Sequence, residues 1–147
     1  MMASNAKRFL WSAAAIASVG AAGIVMAAPA SAAVAKVEIT TPSGYGLVMN
    51  RYGTGCSYDV AATVDDYSAT ADNVTITVAR NGGSSQTLID EKPKAGTVTA
   101  TWKPSARGSY TITATQGGVS KTTTAQVGTG IQLPSFILGG GCLITNP

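Results

Sequence analysis

Four stretches of this chain alternate apolar side chains with small polar ones, mostly threonine, and that period of two constrains the fold more than any other feature. Val74, Ile76 and Val78 alternate with Thr75 and Thr77, Val98, Ala100 and Trp102 with Thr97, Thr99 and Thr101, and Tyr110, Ile112 and Ala114 with Thr111, Thr113 and Thr115. Cys56, Tyr58, Val60, Ala62 and Val64 alternate in the same way with Ser57, Asp59, Ala61 and Thr63. Successive side chains of a strand point to opposite faces, so each stretch has one face for a core and one for water. β-Branched threonine suits a pleated, solvated surface, which predicts antiparallel sheets buried on one side. Weaker strands are expected over residues 34–41, 47–52, 86–90 and 119–127. No segment after residue 32 carries an apolar 3.6-residue period. Asn81-Gly82-Gly83 and Gln116-Gly117-Gly118 predict hairpins. Seven or eight short strands with one apolar face each need a second sheet to cover them, so the expectation is an all-β antiparallel sandwich.

The first 32 residues obey different physics. Lys7 and Arg8 precede an uncharged run from Phe9 to Ala28, and Ala30-Ser31-Ala32 follows with small residues suited to a signal peptidase. We expect a signal-peptide helix over residues 1–32, a sandwich over 33–127 and a C-terminal tail over 128–147. The apolar run is about 20 residues, long enough for an uncleaved anchor as the rival reading. After cleavage no stable membrane span remains, and the expected destination is secreted, extracellular or in the cell envelope.

Processing also changes the charge. The whole chain carries ten basic and seven acidic side chains, and loss of Lys7 and Arg8 leaves eight against seven, a net charge of +1. Nucleic-acid binding needs clustered cations with little acid nearby, so this balance argues against it. The chain has no histidine, which removes the commonest general base and the usual triads. The adjacent Asp65 and Asp66 point in different directions on a strand or turn and do not form an acid–base pair by spacing alone. The expectation is no enzyme and no cofactor.

Cys56 and Cys142 are the only cysteines, and in an exported chain an even pair reads as a disulfide. It would close 142 − 56 = 86 positions and tie the tail to the first strong strand. That tail holds Leu133, Phe136, Ile137 and Leu138 ahead of Gly139-Gly140-Gly141. Two readings stand: it packs over an open edge or end of the sandwich, or it is an exposed docking segment.

From Gly96 onward, GTVTATWKPSARGSYTITATQGGVSKTTTAQVG resembles the C-terminal half of bacterial immunoglobulin-like (Big-type) repeat domains of secreted and surface proteins. The resemblance extends over about 90 residues, from Val37 to Val127. It implies an immunoglobulin-like sandwich with Cys56–Val64 as strand B, Val74–Arg80 as strand C and a strand E ending at Trp102. Tyr110 then stands at the corner before strand F, where its hydroxyl would bond a nearby backbone group. The chain departs from the antibody pattern, which bridges strands B and F, because Cys142 lies beyond strand G and Trp102 falls on strand E.

If connections alternate between the two ends of the sandwich, one end collects Arg51, Arg80, Lys103 and Arg107. Arginine guanidinium groups there suit an anionic polymer, with Tyr52 and Trp102 near enough to stack on sugars. The plain alternative is solvated charge. The other end collects Asp65, Asp66, Asp72, Asp90 and Glu91, diluted by Lys92 and Lys94. Carboxylates in such number make a calcium shell conceivable, but no DxDxDG spacing is present, and acidic loop residues commonly serve as turn formers. The functional expectation is a secreted single-domain binding module of a bacterial cell surface or medium, its partner an unidentified protein or envelope polymer. The alternative is a structural or spacer component of the envelope without a high-affinity ligand.

Overall fold

The computed structural model describes residues 33–46 and 49–147. The expected signal peptide lies outside the described residues, as do Leu47 and Val48. Among the described residues no helix is long and apolar enough to cross a membrane.

The alternating stretches become strands. They are β1 (Val34–Ile39), β4 (Tyr58–Val64), β5 (Val74–Arg80), β6 (Ser85–Glu91), β7 (Thr97–Trp102), β8 (Gly108–Gln116) and β9 (Val119–Gln132). Three short pieces complete the sheets: β2 (Tyr45–Gly46), β3 (Tyr52–Gly53) and β10 (Cys142–Asn146). One sheet has the order β1-β4-β7, and the other runs β2-β10-β9-β8-β5-β6, with β3 paired to β9. The apolar positions of both sheets face one core: Val60, Ala62, Val64, Val98, Ala100 and Trp102 from the first, Val74, Ile76, Val78, Ile112, Ala114 and Val127 from the second. Threonines 97, 99 and 101 are exposed, as the period of two requires. In immunoglobulin terms β4, β5, β7, β8 and β9 are strands B, C, E, F and G, placed as the resemblance implies. The strand between C and E, β6, pairs with β5.

Both expected hairpins form, at β5–β6 and β8–β9. Gly117 and Gly118 have φ of 57° and 80°, a left-handed turn that glycine enters without a Cβ penalty. The β5–β6 ladder passes from Ile76↔Ile89 to Thr77↔Thr87, so Leu88 is the extra residue of a bulge. Consecutive Leu88 and Ile89 are thereby both half-buried against the core.

The corner tyrosine is in place. Tyr110 is 7% exposed, and its hydroxyl donates to the Ala106 carbonyl at 2.7 Å. Tyr110→Phe keeps the ring and removes this bond, so it is expected to cost about 1 kcal/mol of unfolding free energy in a urea titration. A cost near zero would show that the corner is held by packing alone.

Two regions differ from expectation. The strand expected over 47–52 does not form as one piece. A turn at Met49–Asn50, with Asn50 at φ 59°, folds the segment back, and the Gly44 N–H donates to the Arg51 carbonyl at 2.8 Å. Tyr45–Gly46 and Tyr52–Gly53 instead pair separately, in parallel, with β10 and β9. The second difference is the tail. β9 continues past the boundary expected at Val127 through Gln132, and residues 142–146 return antiparallel to it as β10, burying Cys142 and Ile144. The backbone groups of β9 beyond the reach of β8 thus find partners within the chain, which an unpaired edge would lack.

Candidate functional site

The connections that meet at one end of the sandwich carry the four cations. Arg80 closes β5, Lys103 follows β7, Arg107 precedes β8 and Arg51 precedes β3. Register brings them near one another: Arg80 pairs with Tyr110 across β5–β8, and Gly108 pairs with Val127 across β8–β9. Arg51, Arg107, Gly108, Val127 and Pro147 line one open cleft. Arg80 and Lys103 line a second, of about 260 Å³, with Ser84, Gln86 and Ser105. Gly108 joins the two. A Cβ at Gly108 would stand 3.0 Å from Arg80 Nε, so Arg80 lies over the backbone of a residue that also lines the cleft of Arg51 and Arg107. The result is a continuous cationic rim.

Among the described residues none of these cations pairs with an Asp or Glu side chain. The one ion pair among the described residues is Lys36–Glu38 at 2.7 Å, on β1. Arg107 Nη2 donates to the backbone oxygen of Pro147, the last residue, and, at 3.5 Å, to Asn146 Oδ1. Arg51 Nη1 reaches Gln126 Oε1 at 3.5 Å, and that oxygen also accepts from Ser109 Oγ at 2.8 Å. A guanidinium offers five donors, so these bonds steer both arginines and leave most of their donors for an external anion. Sequence reasoning did not pick out these steering residues. Ser109 and Gln126 were within reach, since a hairpin closing at Gly117-Gly118 puts 109 opposite 126. Asn146 and Pro147 were not, because their position depends on β10.

One of the two aromatic residues near the expected site, Trp102, needs correction. Trp102 is 2% exposed and belongs to the core, with ring centroids 5.3 Å from Tyr110 and 5.8 Å from Tyr58. Tyr52 is half-buried and meets Tyr58 edge to face at 4.9 Å. Trp102 therefore has no free face for stacking on sugars, whereas Tyr52 keeps part of its ring exposed. Burial pushes the phenols of Tyr52 and Tyr58 above their usual range, and for Tyr58 the Gly53 N–H bond opposes the rise while Tyr52 adds to it. These groups stay protonated at neutral pH and support the rim from beneath.

The expected acidic end exists, but no calcium shell assembles there. Among the described residues no three His, Cys, Asp or Glu side chains come together. The carboxylate of Asp66 accepts from the Ser68 N–H at 2.9 Å, and hydrogen bonds from Ser68 hold its pKa below the ordinary value. Asp90 Oδ1 accepts from Asn73 Nδ2 and Thr75 Oγ1. The carbonyls of Asp66 and Asp72 accept from Nε2 of the fully buried Gln116 at 2.9 and 3.1 Å. Asp65 donates its N–H to the Ala33 carbonyl, and Glu91 lies at the end of β6 opposite Val74. The carboxylates of Asp66 and Asp90 thus serve turn and ladder bonding, as is common for acidic loop residues.

Cys56 and Cys142 form the expected disulfide, with Cα atoms 5.9 Å apart. Its seat requires glycine: a Cβ on Gly130 would lie 2.5 Å from the Gly53 Cα and 2.8 Å from Cys142 Sγ. The tail divides its behaviour between the two expectations. Its strand packs, while Phe136 and Leu138 remain 84% and 59% exposed.

No protein-family model matches this chain, and no curated protein matches it. Among solved structures the chain is similar to the crystal structure of the CARDB domain of the PF1109 protein from Pyrococcus furiosus in complex with di-metal ions, at 20% identity and a TM-score of 0.37. The match covers 63% of this chain and 90% of that one. At this level the likeness carries no argument, and the immunoglobulin-like sandwich stands on the strand pairings themselves.

Proposed function

We propose that this chain is a secreted immunoglobulin-like binding module of a bacterial surface, without catalytic activity, that engages an anionic partner through its cationic rim. The observation that carries the reading is the rim: four cations gathered from three separate connections, none paired with an Asp or Glu side chain among the described residues. Cations serving stability alone are commonly found in pairs or networks, whereas unpaired ones steer and hold an oppositely charged partner. The clefts are small and open, which suits a polymer crossing the rim better than an enclosed small molecule. The resemblance to Big-type domains and the signal-like residues 1–32 support export. The bridge between Cys56 and Cys142 agrees with an oxidising compartment.

The test is retention of the oxidised protein on immobilised polyphosphate. Replacing Arg51, Arg80, Lys103 and Arg107 together by Gln is expected to weaken retention at least about tenfold at low salt, a change of about 1.4 kcal/mol. Rising ionic strength should erase the difference. Equal retention of both proteins would discard the rim as a site and favour a structural role in the envelope.

A further inference from the structure

We infer that the anionic partner is a lipid surface, and that the loop between β9 and β10 enters it as an apolar tip. This inference rests on the reading of the cationic rim given above. The loop shows three consecutive large apolar side chains to solvent, Phe136, Ile137 and Leu138, exposed by 84%, 42% and 59%. Tyr45 stands beside it, 50% exposed, and lines a common hollow with Leu138 and Gly139.

The tip is braced rather than slack. The Leu133 N–H donates to the Gly141 carbonyl at 2.9 Å, Ile137 N–H to Pro134 at 2.9 Å and Gly140 N–H to Ile137 at 3.0 Å. Gln132 Nε2 donates to the Gly140 carbonyl, and the disulfide clamps Cys142 at the base. Leu138 holds φ 47°, a left-handed conformation that a leucine seldom adopts. Apolar side chains held outward by so many bonds are not an uncollapsed piece of core, since the core below them is complete. A tip of three residues is also far too small for a protein interface, which buries roughly 800 Å² on each partner. A bilayer interface needs no complementary pocket and accepts apolar side chains to a depth of roughly 5–10 Å.

Charge selects the lipid. β9 carries the tip outward from the same end that holds Arg51, Arg80, Lys103 and Arg107, since Gly108 pairs with Val127 and Cys142 with Gln132 further along. Arg51 is tied to the base of the tip: its carbonyl accepts from the Gly44 N–H, and Gly44 lies against Cys142 and Ile144. Apolar insertion combined with several cations is the two-signal arrangement by which peripheral proteins hold anionic membranes, each signal alone being weak.

The test is co-sedimentation of oxidised residues 33–147, which contain every described strand, with vesicles of equal parts phosphatidylglycerol and phosphatidylcholine, and with phosphatidylcholine alone. Binding is expected to the anionic vesicles only. The Phe136→Ser, Leu138→Ser double variant should lose at least about tenfold in vesicle affinity, a 1.4 kcal/mol change, while keeping its retention on polyphosphate. Both substitutions are at exposed positions, and circular dichroism verifies the fold. A Phe136→Trp variant should show a blue shift of its emission on vesicle addition. Retention on polyphosphate without vesicle binding, or vesicle binding indifferent to Phe136 and Leu138, overturns the lipid inference and leaves the rim standing. Loss of both kinds of binding in the wild-type protein overturns the rim as well.

Discussion

Trp102→Ala is expected to destabilise the domain by about 3–5 kcal/mol, the range for emptying a large aromatic site in a packed core. Trp102 ends β7 and is 2% exposed, enclosed by Tyr58, Tyr110 and the half-buried Tyr52. Removing it takes away the indole's own burial and leaves a void that the two sheets, tied to each other at this end through the disulfide, can fill only in part. Three ring-to-ring contacts go with it, and such pairs contribute beyond the area they bury. Urea unfolding should show a lower midpoint with an unchanged slope. A loss under 1 kcal/mol would return Trp102 to the surface and reopen its role as a stacking platform. Because the aromatic cluster lies beneath the rim, Trp102→Phe is the informative companion: it should recover part of the stability and leave polyphosphate retention intact.

Reducing the Cys56–Cys142 bridge, or replacing both cysteines by Ser, is expected to cost about 4–5 kcal/mol on the chain-entropy view, since the bridge spans 86 positions. The loss should not be uniform. β10 and β2 hang on this end of the molecule by the disulfide and by short ladders, β2 through only two register pairs. Hydrogen exchange should therefore rise first in Cys142–Asn146 and Tyr45–Gly46, ahead of β5 and β8. The same change should weaken vesicle binding, because the base of the apolar tip is then released. Equal midpoints for the oxidised and reduced proteins would mean that the pairing of β10 with β9 holds the tail unaided.

Much of the sandwich was legible because its signals are local. A period of two needs only neighbouring residues to define a strand and its buried face, and the Gly-rich turns after Arg80 and Thr115 mark two hairpins. Tyr110's corner bond followed from the resemblance to immunoglobulin-like repeats, and its acceptor lies four residues upstream. The gathering of Arg51, Arg80, Lys103 and Arg107 followed from counting connections.

What escaped the sequence depends on contacts distant along the chain. Residues 47–52 look like a strand by hydropathy, yet Asn50 turns the backbone and the flanking pairs answer to β9 and β10. Trp102 is an amphipathic ring that suits a sugar face or a core equally well, and only the closing of one sheet over the other put it inside. The five carboxylates share an end by topology, but Gln116, Ser68, Asn73 and Thr75 draw their loops into separate bonds.

By itself, then, the sequence determined that this chain makes one-faced antiparallel strands, where its two hairpins turn and which two sulfurs join, because alternation, turn chemistry and a lone cysteine pair act through neighbours or by elimination. Only the tertiary structure decided that the tail would split into a buried strand and an exposed apolar tip. That outcome rests on Gly53 and Gly130 meeting closely enough to seat the disulfide, so that β10 takes up the open backbone bonds of β9 while Phe136, Ile137 and Leu138 are left beyond the reach of the core.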